Sequence, residues 1–264
     1  MSYSFQEKPS NAISDSKISR VIACKALELS DIGKWLRLAV QDMKRAPMLT
    51  LAFGLLFAVI PWLITYFVSL TGWHLVIMPA LVCFILVGPF LAAGMYDVSW
   101  ELEKGHTPSL SHCFKAILRN NVNEWAFGVL LLVIMIFWLR VASLIHALYP
   151  QYIDDDFVNL MPFLTIGTIA GAAFTLLVFS ISAFTQPILM ERRVDLATAV
   201  LTSVNAVWVN KKVMFAWATV IMLCVAVGFA TLFFGFILLM PLLGYASWHA
   251  YIDTIETKRA RHYE

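Results

Sequence analysis

The chain has 264 residues, of which 60% are hydrophobic and 14% charged, and its net charge is +2. A soluble domain of this length carries about 25% charge, so the composition excludes an ordinary soluble globule. The near-neutral charge also gives no reason to expect a nucleic-acid partner.

Residues 1–30 form a polar, Ser-rich tail with no apolar segment behind a basic start, so insertion is expected to rely on the first true span. A stripe of Ile32, Trp35, Leu36, Ala39, Val40 and Met43 then recurs at helical spacing opposite Lys34, Arg37, Gln41 and Lys44. It predicts an amphipathic helix lying in a membrane interface. Pro47 suits the first turn of a first span, expected over Met48–Leu70. A second span is expected over Leu75–Tyr96, with Gly88-Pro89 as a kink to match Pro61 in the first.

The next connector carries a second amphipathic stripe, Leu110, Phe114, Ile117 and Leu118. The third span is expected over Trp125–Leu148, and the fourth over Met161–Met190, which is longer than a bilayer requires and carries Pro187 near its end. A third stripe follows, Leu196, Val200, Val204, Val207 and Trp208. Residues 213–251 are too long for one span and are read as a hairpin turning between Gly228 and Gly235; the rival is a single span plus a re-entrant segment.

Charge supports the even count. Lys44, Arg45, Lys104, Lys115, Arg119, Arg192, Arg193, Lys211, Lys212 and the tail residues Lys258, Arg259 and Arg261 all fall on one face in a six-span chain, whereas the other face carries Asp154, Asp155 and Asp156. That asymmetry places both ends in the cytoplasm and sets the basic helices against anionic lipid headgroups.

The expected fold is an all-α polytopic bundle of six transmembrane helices with three interfacial amphipathic helices. Residues 31–255 form the membrane domain and residues 256–264 a basic tail. The stretch 44–56 aligns with 118–130, matching Ala52-Phe53-Gly54 to Ala126-Phe127-Gly128, and 209–221 fits more loosely. This suggests a threefold repeat of helix plus hairpin over about 31–105, 106–192 and 193–255.

The stretches "WLRLAVQDMKRAPMLTLAFGLLF" from Trp35, "VGPFLAAGMYDVSWELEKG" from Val87, "VDLATAVLTSVNAVWVN" from Val194 and "PLLGYASWHAY" from Pro241 resemble the bacterial integral-membrane family known as domain of unknown function 2189. The resemblance implies a bacterial inner membrane and no particular activity.

Three features invite a site. Arg140 sits within the third span, fifteen residues past Trp125; it either snorkels to the outer face or lines an outward-facing cavity as a ligand-binding residue. Gly167 and Gly171 form a GxxxG step suited to close helix packing, within its own bundle or against another protomer or membrane protein. His249, beside Trp248 and Tyr251, reads as an interfacial histidine rather than a haem ligand. The cysteines Cys24, Cys83, Cys113 and Cys224 form no CxxC pair and read as packing residues. With no metal-ligating histidine spacing, no GxSxG and no P-loop, neither a metal, a cofactor nor catalysis is expected. The reading favours a non-enzymatic structural, assembly or envelope-homeostasis role, the alternative being a small-molecule permease or channel.

Overall fold

The computed structural model describes residues 21–70, 77–117, 122–148, 157–192 and 194–255. The acidic run Asp154–Asp156, His74 and the C-terminal tail lie outside the described residues. The described chain is all-α. Helix α1 (Leu29–Arg45) leads into α2 (Pro47–Leu70) and α3 (Ile77–Glu103). The short α4 (Leu110–Ile117) leads into α5 (Val122–Ala147) and α6 (Phe157–Ser182), which continues as α7 (Thr185–Glu191). Helix α8 (Leu196–Val209) leads into α9 (Lys211–Ala230) and α10 (Phe236–Thr254).

Four stretches among the described residues are long and apolar enough to cross a membrane: Pro47–Leu70, Val122–Ile145, Met161–Glu191 and Lys211–Ala230. Their outward faces carry large apolar side chains such as Trp62, Phe67, Phe137, Ile169, Phe215 and Met222. A helix apolar all round suits lipid and not water. Helix α10 runs through the centre, against α1, α2 and α3, with Leu243, Tyr245, Ala246, Trp248 and Ala250 all buried.

Contacts at glycine set the closeness of this packing. A Cβ on Gly54 of α2 would collide with the backbone carbonyl of Ile237 in α10. A Cβ on Gly228 would collide with the Phe236 ring across the α9–α10 turn. The apolar stretch 213–251 is a helical hairpin turning at residues 231–235, within the predicted interval, where Leu232 (φ 51°) and Phe233 (φ 73°) take left-handed backbone.

The amphipathic helices differ from expectation in what their faces meet. Ile32, Trp35, Ala39 and Asp42 of α1 are buried against protein, with Trp35 edge-on to Trp217 at 5.7 Å. In α8 the buried face is Ala199, Thr202, Ser203 and Ala206; of the expected apolar stripe, Leu196 and Val207 pack against the core and Trp208 points outward. Small residues allow this close helix approach.

The expected long fourth span is broken. Helix α6 stops at Ser182, and Pro187 lies in the first turn of α7, where its missing N–H is tolerated. Ser203 of α8 spans the break: its hydroxyl donates to the Ser180 carbonyl at 2.8 Å and accepts from Phe184 N–H at 3.1 Å. Backbone groups freed inside an apolar layer need such partners.

Residues 21–28, the end of the polar tail, are laced across the same end of the bundle. Ile22 N–H donates to Thr202 Oγ1, and Lys25 N–H to the Thr254 carbonyl at 2.8 Å. The Asn210 side chain accepts from Leu27 N–H at 2.8 Å and donates to the Lys25 carbonyl at 2.9 Å.

Substituting Gly54→Ala is expected to destabilise the protein by about 1–3 kcal/mol, because the obstacle is backbone and cannot swing away. Gly33→Ala, whose Cβ meets nothing within 4 Å, is expected to be neutral or mildly stabilising. Thermal unfolding of both variants in detergent checks the contrast.

Candidate functional site

Two features stand apart from ordinary packing. The first is a cavity of about 470 Å³ lined by α2, α3, α5, α6, α9 and α10. Phe57, Phe84, Met135, Trp138, Phe174 and Trp217 supply much of its wall; Tyr96, Thr175, Ser182 and Ser247 are its polar members. The volume is that of a small-ligand pocket, and the lining suits an apolar occupant. Gly88 lines it, and a Cβ there would meet nothing within 4 Å.

The second feature is a polar layer where α1, α3, α4 and α10 meet. Asp42 arrives on the buried face of α1. Its carboxylate oxygen Oδ2 accepts from the Ser99 hydroxyl at 2.8 Å and lies 2.8 Å from His249 Nε2. All three residues are buried, and Glu103 stands 4.0 Å from the other His249 ring nitrogen. Beside this group Thr50 and Tyr245 share a hydrogen bond of 3.2 Å. The Trp248 ring packs among Tyr96, Trp100 and Tyr251.

Further along α3, Asp97 Oδ2 meets His112 Nδ1 of α4 at 2.7 Å, and Glu101 holds Lys104 and His106 at 3.0 Å each. Asp97 is 2% exposed. The Cys113 thiol hydrogen-bonds Asp97; burial, and then the nearby Asp97 charge, push it up to about 12. A thiol so placed is not a nucleophile at neutral pH. Tyr251 donates to Glu191 and accepts from Arg192 Nε at 3.2 Å, tying α10 to the end of α7.

The residues singled out in the sequence fall elsewhere. Arg140 is exposed on the surface of α5 and is not among the residues lining the cavity. Gly171 lies 3.6 Å, by its would-be Cβ, from the Trp138 ring of α5, while Gly167 faces open space. The contact seen at this step is therefore within the bundle. His249 is buried against Asp42 rather than exposed at an interface, because α1 folds over the end of α10. Asp42, Asp97, Glu101 and His112 escaped sequence reading. Asp42 interrupts an apolar stripe, and Asp97 and Glu101 are spaced one helical turn apart, which were the available signals. Among the described residues, the Gln186 amide and Trp248 Nε1 are buried without a hydrogen-bond partner.

Fold and composition together define a multi-pass integral membrane protein. Residues 77–191, from α3 through α7, match the family described as "Predicted integral membrane protein (DUF2189)", the family that the sequence resembles. No curated protein and no solved structure matches the chain.

Removing Asp42 leaves His249 and Ser99 buried without their shared acceptor. Asp42→Ala is therefore expected to cost about 1–3 kcal/mol. The double variant Asp42→Leu, His249→Phe should lose less than the two single losses added together, since it leaves neither charge nor ring nitrogen stranded. A double-mutant cycle on thermal unfolding measures this.

Proposed function

We propose that this is a non-enzymatic bacterial inner-membrane protein that holds an apolar molecule, an acyl or isoprenoid chain, inside its bundle. The cavity between α2, α3, α5, α6, α9 and α10 carries this reading. It is ligand-sized and its wall is largely apolar, and among the described residues that line it none is charged, as an ion or a polar solute would require. The envelope-homeostasis role and the permease role meet here, since both need a protein that receives an apolar molecule within the bilayer. Arg140, exposed on the surface of α5, has no part in this form of the permease reading.

The arrangement in the membrane follows from six spans, with α3 and α10 added to the four long apolar stretches. Helix α10 has 19 residues, about 28 Å at 1.5 Å per residue, close to the hydrocarbon thickness. Three successive units of short helix plus two long ones support the threefold repeat, and Phe53 and Phe127, matched in the repeat alignment, are both buried. Both ends then lie in the cytoplasm with the basic residues, facing anionic headgroups.

Protein purified in mild detergent is expected to carry a co-purifying lipid or isoprenoid species in native mass spectrometry. Gly88→Leu, which places its side chain into the cavity, should abolish that adduct while leaving the melting temperature within a few degrees of wild type. A ligand-free wild-type protein, or equal occupancy in the variant, would reject the reading. For orientation, a reporter fused after Glu264 should be active only if its activity requires the cytosol, and one inserted at 150–158 only if it requires the periplasm. A C-terminal reporter active outside would remove the six-span arrangement.

A further inference from the structure

The second carboxylate group on α3 has a chemistry that neither the cavity nor the membrane arrangement uses. Asp97 and Glu101 are one helical turn apart on the same face of α3. After α3 the chain reverses through Gly105, whose φ of +76° suits glycine. The turn is closed by hydrogen bonds from Gly105 N–H to the Leu102 carbonyl and from His106 N–H to the Glu101 carbonyl. It brings α4 back along α3 and lays His112 over Asp97. One ligand atom from each of Asp97, Glu101 and His112 lies within 4.8 Å of the other two.

We infer that Asp97, Glu101 and His112 bind a divalent first-row transition-metal ion that clasps α4 to the end of α3. Two carboxylate oxygens and an imidazole nitrogen are a donor set that such ions take readily. With metal–ligand bonds of about 2.1 Å, neighbouring donors sit about 3 Å apart, so side-chain adjustment alone brings this trio into a coordination sphere. The ion takes the place of the hydrogen bond between His112 Nδ1 and Asp97 Oδ2 at 2.7 Å, with Nδ1 as the ligand atom and the ring N–H carried on Nε2.

The surroundings fit a metal centre. Asp97 is buried, which rigidifies it, and the Cys113 thiol holds its carboxylate in place. Glu101 is oriented by Lys104, whose ammonium also sits 3.9 Å above the Trp100 ring, and by His106. Such outer partners aim ligands and tune their basicity. Against the two carboxylates, Lys104 supplies one fixed positive charge, so the trio retains attraction for a dication. The His112 side chain is 55% exposed, which gives an ion a path in and leaves coordination positions for water.

The test uses the full chain in detergent, stripped with EDTA and titrated with Co²⁺ alone. One equivalent is expected to bind, with visible ligand-field absorption, and to be displaced by Zn²⁺. His112→Gln, at a half-exposed position that does not threaten folding, should weaken Co²⁺ binding by at least about tenfold, and Asp97→Asn likewise. Lys34→Gln, which lies outside the trio on the exposed face of α1, should bind as wild type does. Size exclusion and far-ultraviolet circular dichroism establish that each variant is folded. Absence of Co²⁺ binding to the wild-type protein, or equal binding by folded His112→Gln, overturns the assignment.

Discussion

The contact of α10 with α2 at Gly54 and Ile237 is the constraint from which the bundle is built. Backbone meets backbone there, so the two helices come closer than any pair separated by side chains. Once they are that close, the face of α10 bearing Tyr245, Trp248 and His249 is held inside the protein and must find partners there. Thr50 meets Tyr245, Asp42 meets His249, and aromatic rings from α3 surround Trp248. Helix α1, which brings Asp42, is pinned by the same logic: Lys34 and the Trp35 indole both donate to Asp253 on α10.

The molecule is thus sorted along its length. One end concentrates its buried acids, histidines and amides, bounded by α1, α4 and the laced segment 21–28. Beyond that layer, along the same long helices, the interior becomes aliphatic and aromatic and opens into the cavity. Burying a polar group is costly unless it meets a partner, so, the Gln186 amide and Trp248 Nε1 apart, these groups gather where several helix ends and a connecting segment supply donors and acceptors together. The cavity lies where no such partners are needed.

The breaks in regular structure follow the same rule. Ser203 satisfies the backbone at the α6–α7 break, and Asn210, at the α8–α9 junction, serves as a hydrogen-bonding partner for residues 25 and 27. Both are small polar residues on or just past α8, from which Leu201, Trp208 and Val209 point outward. In a soluble protein water would do this work, and such residues would carry less structural weight.

Much of the outline was legible in the sequence. Apolar runs about as long as a bilayer is thick, the amphipathic connectors, the turn inside 213–251 and the family resemblance all depend on local composition and helical period, which the chain carries whatever its neighbours are. The polar layer was not legible, because its members come from α1, α3, α4 and α10 and become a cluster only when those helices converge. The buried face of α8 was not legible either, because its members are the small residues Ala199, Thr202, Ser203 and Ala206. Hydrophobic periodicity marks the face that avoids water, and beside a lipid phase that face can turn outward while small residues pack inward. Arg140 stood out in sequence as an isolated charge, but the structure leaves it on the exterior of α5. Asp42 looked like a flaw in an apolar stripe, and its burial against His249 was decided by the close approach of helices that only tertiary packing creates.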